Sequence, residues 1–277
     1  TRRSSDLAST GKLSVTGYQD YNHAQKILKE VNKYRKKNGR KALKMDRGLT
    51  NSAIMRGFET TIYIPETSPH RRPNGKLSKS INKKIIYENC AQSAETTPKQ
   101  IVKGWINSST HRKGLLLSNA KSVGVAAVTV VSRDGYEANT WVLDFSSSKA
   151  KKVKKSKARK QFTKNIVTKN SYLKKSYLKL DSRYGTIWET EKMQMKPTYQ
   201  GKMMKEYGVY PTVINTSSFT SWKSSNPSVA SVDSNGRITG NKAGTATISA
   251  KLKTGTKITI SKKIKVVPTN QQIDPWE

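Results

Sequence analysis

The sequence predicts an α+β domain followed by an all-β sandwich. Three observations carry this. Helical apolar spacing and then two β-branched runs occupy residues 20–146. A run of Lys and Arg without a single acid follows at 146–165. Beyond residue 171, short β-type runs alternate with Gly, Asn and Pro.

Residues 20–39 read as an amphipathic helix, with Ala24, Ile27, Leu28, Val31 and Tyr34 at helical spacing. Asp20 can cap its start and Gly39 can end it. A second helix is expected after Asp46, with Leu49, Ala53 and Phe58 along one face, and residues 61–84 read as loop. In "TPKQIVKGWINSS", Thr97 fits the N-cap, Pro98 the first helical position, and Gln100 the far side of a capping box. "SVGVAAVTVV" (122–131) and "NTWVLDFS" (139–146) read as antiparallel neighbours across "SRDGYEA".

The tract "SSSKAKKVKKSKARKQFTKN" (146–165) repels itself and has few apolar residues, so it reads as a linker or basic arm. After it, Asn235-Gly236 marks a hairpin, and Gly240, Gly244 and Gly255 mark further bends. The expected organisation is an N-terminal extension over 1–19, a first domain over 20–146 and a basic linker over 147–170. A β domain over 171–268 and a tail over 269–277 complete it.

With 53 Lys and Arg against 18 acids, the net charge of +35 predicts attraction to polyanions. The basic tract lacks interleaved aromatics, and no nucleic-acid motif is present, so no specific nucleic-acid partner is expected. The single cysteine, Cys90, excludes an intramolecular disulfide and reads as a small buried hydrophobe. No stretch is apolar for long enough to span a bilayer. "TRRSSDLAST" lacks the apolar segment of a signal peptide, so an export signal is expected to have been removed.

The chain has three histidines. His23 falls on the polar side of the first helix and reads as a solvated surface residue. His70 sits in "PHRRPNG" and His111 in "SSTHRKGLL", while Glu88 lies between them in "YENCA". Two imidazoles and a carboxylate can hold zinc with a position open for water. They can equally act as general acid and base. Spacing alone does not bring the three together.

"HRRPNG", "YENCA", "WINSSTHRKGLL" and "VGVA", in this order, resemble the CAP superfamily of cysteine-rich secretory, antigen and pathogenesis-related proteins, in its disulfide-free bacterial branch. The resemblance covers about residues 20–146. It implies an α-β-α sandwich whose cleft gathers His70, Glu88 and His111, as catalytic residues or as ligands of a weakly held Zn²⁺ or other divalent cation. Several departures stand out. Ser108 and Ser109 occupy the neighbourhood of a second cleft glutamate, Tyr87 stands for the usual Gly, Cys90 for an aliphatic, and Gly114 for a frequent Asn. "SWKSSNPSVASVDSNGRITGNKAGTATISA" resembles the group 2 bacterial immunoglobulin-like domain, with Trp222, Val229, Ala230, Val232 and Ile248 as core.

These resemblances imply a secreted or cell-wall-associated bacterial protein, monomeric, with a CAP cleft as binding module and an Ig-like spacer or adhesion module. Its expected partners are anionic cell-wall polymers or host surface ligands. The alternative is a metal-dependent or acid/base hydrolase of peptide or wall material that uses the same His/Glu cleft.

Overall fold

The structure, a computed structural model, describes residues 10–62, 70–93, 96–151, 153, 156, 158–182, 184–254 and 257–270. The chain divides into two compact units, one of residues 16–164 and one of residues 1–15 with 165–277.

The first unit contains the end of strand β1 (Thr10–Asp20), helix α1 (Tyr21–Lys37), the short β2 (Lys44–Met45) and helix α2 (Arg47–Ile62). Strand β3 (Tyr87–Ser93), helices α3 (Pro98–Asn107) and α4 (Ser109–Leu115), β4 (Ser122–Val131) and β5 (Glu137–Ser146) follow. The start of β6 (Arg159–Lys169) completes it. The sheet runs β3-β5-β4-β1-β6, and β2 pairs parallel to β4. The β3–β5, β4–β5 and β1–β4 pairs are antiparallel.

The caps read from the sequence are in place. Asp20 accepts the His23 N–H at 2.8 Å, and Gly39, at φ +65°, lies just past the end of α1. Thr97 and Gln100 form the reciprocal capping box of α3. Strand alternation then sorts the sheet's two faces. Val123, Val125, Ala127, Trp141, Leu143 and Phe145 pack with α1 and α3 through Ala24, Ile27, Val31, Ile101, Val102 and Trp105. The other face carries α2. A Cβ on Gly57 would stand 2.7 Å from Val128, and one on Gly124 would stand 2.2 Å from the backbone of Leu49. Glycine at 124 therefore lets α2 lie against the sheet. The result is an α-β-α sandwich, with helices covering both faces of β4 and β5.

Among its described residues, the second unit is β apart from one short α-helix and three 3₁₀ turns. Its strands after β6 are β7 (Leu178–Asp181), β8 (Thr186–Trp188), β9 (Lys192–Gln194) and β10 (Lys196–Tyr199). Helix α5 (Lys202–Glu206) separates these from β11 (Thr212–Val213) and β12 (Phe219–Ser224). The last four strands are β13 (Ala230–Val232), β14 (Arg237–Gly240), β15 (Gly244–Leu252) and β16 (Thr259–Val267). They form sheets β11-β10-β7, β12-β15-β16-β8 and β13-β14-β9, antiparallel except where β8 joins β16. The Asn235-Gly236 hairpin is present, with Gly236 at φ +73° and Asp233 accepting the Asn235 and Arg237 N–H groups. Val229, Ala230 and Ile248 are buried as expected. Trp222 and Val232 are half-buried instead, because the Trp222 ring lies across the turn at Gly236 and against Phe219.

Two segments differ from the sequence reading. Residues 10–19, expected as part of an extension, form most of β1; Gln19 pairs with Val128, and Leu13 and Val15 are buried. Residues 159–169, expected in the linker, form β6 with Ile166 and Thr168 buried. A strand at the end of a sheet tolerates dense Lys when the lysines fall on exposed positions. Among the described residues, no helix is long and apolar enough to cross a membrane.

Candidate functional site

The site begins on α2. Asp46 accepts the Leu49 N–H at 2.9 Å and starts the helix, and Arg56 and Glu59, one turn apart, are both turned into the interior. The Arg56 guanidinium donates through Nε to Glu88 Oε2 (2.8 Å) and through Nη2 to Glu88 Oε1 (3.1 Å). Its Nη1 donates to Glu59 Oε2 (2.9 Å). This paired geometry is the strong form of an Arg–carboxylate bond. Burial opposes Arg56's charge, but Glu88 and Glu59 more than offset it and raise its pKa.

The "HRRPNG" loop closes over this pair. Gly75, at φ +83°, makes the turn, and the Arg72 N–H donates to Lys76 O at 2.8 Å. Arg72 reaches inward and donates Nη2 to Glu59 Oε1 at 2.7 Å. His70 is fixed in turn, its carbonyl accepting the Ser78 N–H at 2.8 Å. Its Nδ1 lies 3.0 Å from Glu88 Oε1. Burial pushes the Glu88 carboxyl up, but the bonds from His70 and the charge of Arg56 outweigh it and hold its pKa below the usual range. The carboxylate is ionised at neutral pH, so Nδ1 donates, and in the neutral imidazole Nε2 is the acceptor.

His111 comes from α4, which is pinned to β3. Tyr87 donates its hydroxyl to Thr110 O at 2.9 Å, and Asn89 Nδ2 donates to His111 O at 2.9 Å. Arg35, buried on α1, holds the far end of α4 by donating to the carbonyls of Leu115 and Leu117. His111 is half-buried; burial, and then the nearby His70, lower its pKa, so its imidazole is neutral at pH 7. His23 lies on the opposite face of the sheet. It faces Asp20 at 3.4 Å and rests beside Trp141, half-exposed.

Other members of the site carry weaker sequence signals. Arg56 continues the Leu49–Ala53 stripe of α2, and a charged residue on a buried stripe calls for a buried partner. Asp144 pairs with Glu88 across β3–β5. It is fully buried, and neither carboxylate oxygen has a hydrogen-bond partner among the described residues. Burial, and then the charge of Glu88, raise its pKa well above the usual range.

That penalty is absent below the unfolded value near about 3.9 and grows as pH rises toward the folded value. Asp144→Asn is therefore expected to stabilise the domain at pH 7 by about 1 kcal/mol or more, the worth of one pKa unit. Thermal unfolding of both proteins should show the gain vanish below pH of about 4. An equal gain at all pH values would contradict the assignment.

Cys90 is half-buried, and burial pushes its thiol up to about 12, so it is not a free nucleophilic thiolate. A ring nitrogen of His70, a carboxylate oxygen of Glu88 and the Cys90 sulfur all lie within 4.8 Å of one another. Their chemistry fits a zinc-class divalent cation. The structure thus joins His70 directly to Glu88 and docks the His111 backbone on the same strand.

Residues 28–145 match the profile of the Cysteine-rich secretory protein family (CAP), and residues 200–264 that of the bacterial Ig-like domain, group 2. The N-terminal part of the chain is a CAP domain. An Ig-like domain follows it. An uncharacterized Bacillus subtilis (strain 168) protein, YkwD, is 30% identical over 132 residues, 46% of this chain and 49% of that one. The chain thus spans about half the length of that curated relative. Among solved structures, an extracellular SCP-domain protein from Bacillus anthracis str. Ames is 19% identical, with a TM-score of 0.34 over 45% of this chain and 41% of the other. An outer surface protein from Borrelia burgdorferi is also 19% identical, with a TM-score of 0.37 over 49% of this chain and 99% of the other.

Proposed function

We propose that this is an exported bacterial protein whose CAP cleft is a binding module and whose Ig-like domain is a spacer or adhesion module at the cell surface. The pairing of these two domain types supports the location. The observation that carries the binding role is the occupation of Glu88. Arg56 and His70 hold both of its oxygens and keep its pKa low, so it has no proton to give at neutral pH. The Ser108 hydroxyl caps α4 by accepting the His111 backbone N–H, a capping role rather than that of an activated nucleophile. The +35 charge favours anionic wall polymers as the surface that concentrates the protein.

One observation favours the hydrolase reading. A His70 imidazole oriented by a carboxylate through Nδ1 is well placed to act as a base through Nε2. Co-sedimentation with purified cell walls, with assay of released peptide and sugar, separates the two. The protein should pellet with the walls, release nothing, and lose most of its retention as salt rises from about 50 to about 500 mM, over which the Debye length falls from about 14 to about 4 Å. Release of wall fragments by the wild type but not by His70→Ala would overturn the binding role.

A further inference from the structure

The basic tract after β5 reads from sequence as a solvated arm, but its described residues are tied to the first unit at successive points. Ser122 Oγ donates to Ser148 O at 2.8 Å. The Lys151 N–H donates to Asp46 Oδ2 at 2.6 Å, and the Arg47 N–H donates to Lys151 O at 3.3 Å. Gln25 Nε2 donates to Ser156 O. Backbone groups that could bond to water bond to the domain instead, so each tie fixes where the chain runs. The exposed Lys149 and Lys151 fall among these ties. The chain then enters β6, where Thr163 shares a hydrogen bond of 2.7 Å with Thr16 of β1.

The cations of β6 are ordered as well. β6 is the end strand of its sheet, and Arg159 and Lys160 are exposed on it, with Lys164 half-buried. The Arg159 guanidinium lies 4.5 Å from the centre of the Tyr18 ring. Lys160 Nζ lies 6.0 Å from the Tyr21 ring, and Lys164 Nζ 5.1 Å from the Phe162 ring. A cation over an aromatic face is attracted by the ring's negative quadrupole. A long side chain held this way has lost part of its rotamer freedom before any partner arrives, which lowers the cost of binding. Glu137 Oε1 accepts from Arg159 Nη2 at 2.6 Å, an exposed pair of the weak kind that an outside anion can displace.

The form of the row selects its partner. It runs along an exposed edge strand, so it fits an extended chain of repeated charges better than one small anion. Residues 147–164 hold eight Lys, one Arg and no acid. A lysine ammonium is a point charge that suits single phosphate groups, whereas bidentate carboxylate recognition calls for the fork of Arg. Among the described residues of 147–164, none is an exposed large hydrophobic side chain. That disfavours a bilayer, where surface-bound elements bury Trp, Phe or Leu.

We propose that Arg159, Lys160 and Lys164, ordered on Tyr18, Tyr21 and Phe162, bind a phosphodiester wall polymer of the polyol-phosphate class. This row supplies most of the retention on walls and leaves the His70–Glu88 cleft to a different ligand. The inference rests on the wall-binding reading for where the polymer is met, and names the polymer and the residues that hold it.

The test measures binding of the full chain to purified polyglycerol phosphate as salt rises from about 50 to about 200 mM. Arg159→Gln/Lys160→Gln/Lys164→Gln should weaken binding at least tenfold, and should lower the slope of log affinity against log salt by about two to three, roughly one per phosphate contact. Lys192→Gln/Lys223→Gln/Lys242→Gln removes the same charge from exposed positions of the second unit. It should change affinity less than about twofold, because a cation without a phosphate contact releases no counterion. Tyr18→Leu keeps every charge and should weaken binding about threefold by loosening Arg159. Circular dichroism shows whether each variant is folded. Lys160→Gln alone, at an exposed position, should still lower the slope by about one if the triple variant does not fold.

Equal losses in the two triple variants would reduce the site to net charge and overturn it. Tighter binding to anionic phospholipid vesicles than to the polymer, at equal phosphate, would also overturn it. Wall sedimentation separates this site from the wall-binding reading. If walls retain the β6 variant as well as the wild type, the row is wrong and the cleft stands as the binding module. If walls retain neither while the purified polymer binds the wild type, the row stands and the wall-binding reading is wrong.

Discussion

Arg56→Leu is expected to destabilise the CAP domain by about 3–5 kcal/mol, because it strips one partner from a buried charge pair. The substitution leaves the Glu88 carboxylate facing Asp144 with His70 as its remaining recorded partner, while Glu59 keeps Arg72. The pH dependence should also reverse. In the wild type, Glu88 has a folded pKa below its unfolded value near about 4.3. Its contribution is therefore fully present above that value and is lost as pH falls through the folded pKa. Without Arg56, burial dominates, the folded pKa rises, and the variant regains stability on acidification. Thermal unfolding at pH 7 and pH 5 should show the gap between the two proteins narrowing at the lower pH. A gap of less than about 1 kcal/mol at pH 7 would mean that the pair is as weak as a surface ion pair.

Gly114→Asn is expected to cost about 1–3 kcal/mol through overpacking and to loosen α4. A Cβ at position 114 would stand 2.7 Å from Asn89 Oδ1 and 2.7 Å from the Tyr87 ring. This joins two of the departures from the family pattern. Tyr87, standing where a Gly is usual, fills the space that a side chain at 114 would need. Helix propensity alone would make Gly114→Ala stabilising by about 1 kcal/mol, so a loss there already marks the clash. In a double-mutant cycle, Tyr87→Gly should offset the cost of Gly114→Asn, with a coupling of about 1 kcal/mol or more. Additive costs would mean that the two positions are independent.

The elements best read from sequence were those with local signals. The caps at Asp20 and Thr97, the helix after Asp46, and the β4–β5 hairpin are all present. The dense charge of β6 masks its alternation. Ile166 and Thr168 point inward while the charged neighbours stay outside, a pattern that "NIVTK" does carry. Strand β1 was lost in the same way, since Leu13 and Val15 alternate among polar residues. Neither strand shows its partner locally.

At the site, motif order singled out His70, Glu88 and His111, and the structure joins the first two. Arg56 and Glu59 carry no such signal, because charged residues on a helix ordinarily face solvent, and their burial depends on each other and on partners distant in sequence. Asp144 escaped for a different reason. Its place beside Glu88 depends on the β3–β5 register, which pairs residues 56 positions apart and leaves no local trace.

The central claim is that Arg56 fixes an ionised Glu88, which in turn orients His70 through Nδ1. The most direct measurement is the ¹⁵N spectrum of the His70 imidazole in the full, metal-free chain, with the ring in its neutral form. The account predicts a protonated Nδ1 and an unprotonated Nε2, with that preference lost in Glu88→Gln. A ring protonated at Nε2, unchanged by Glu88→Gln, would contradict it.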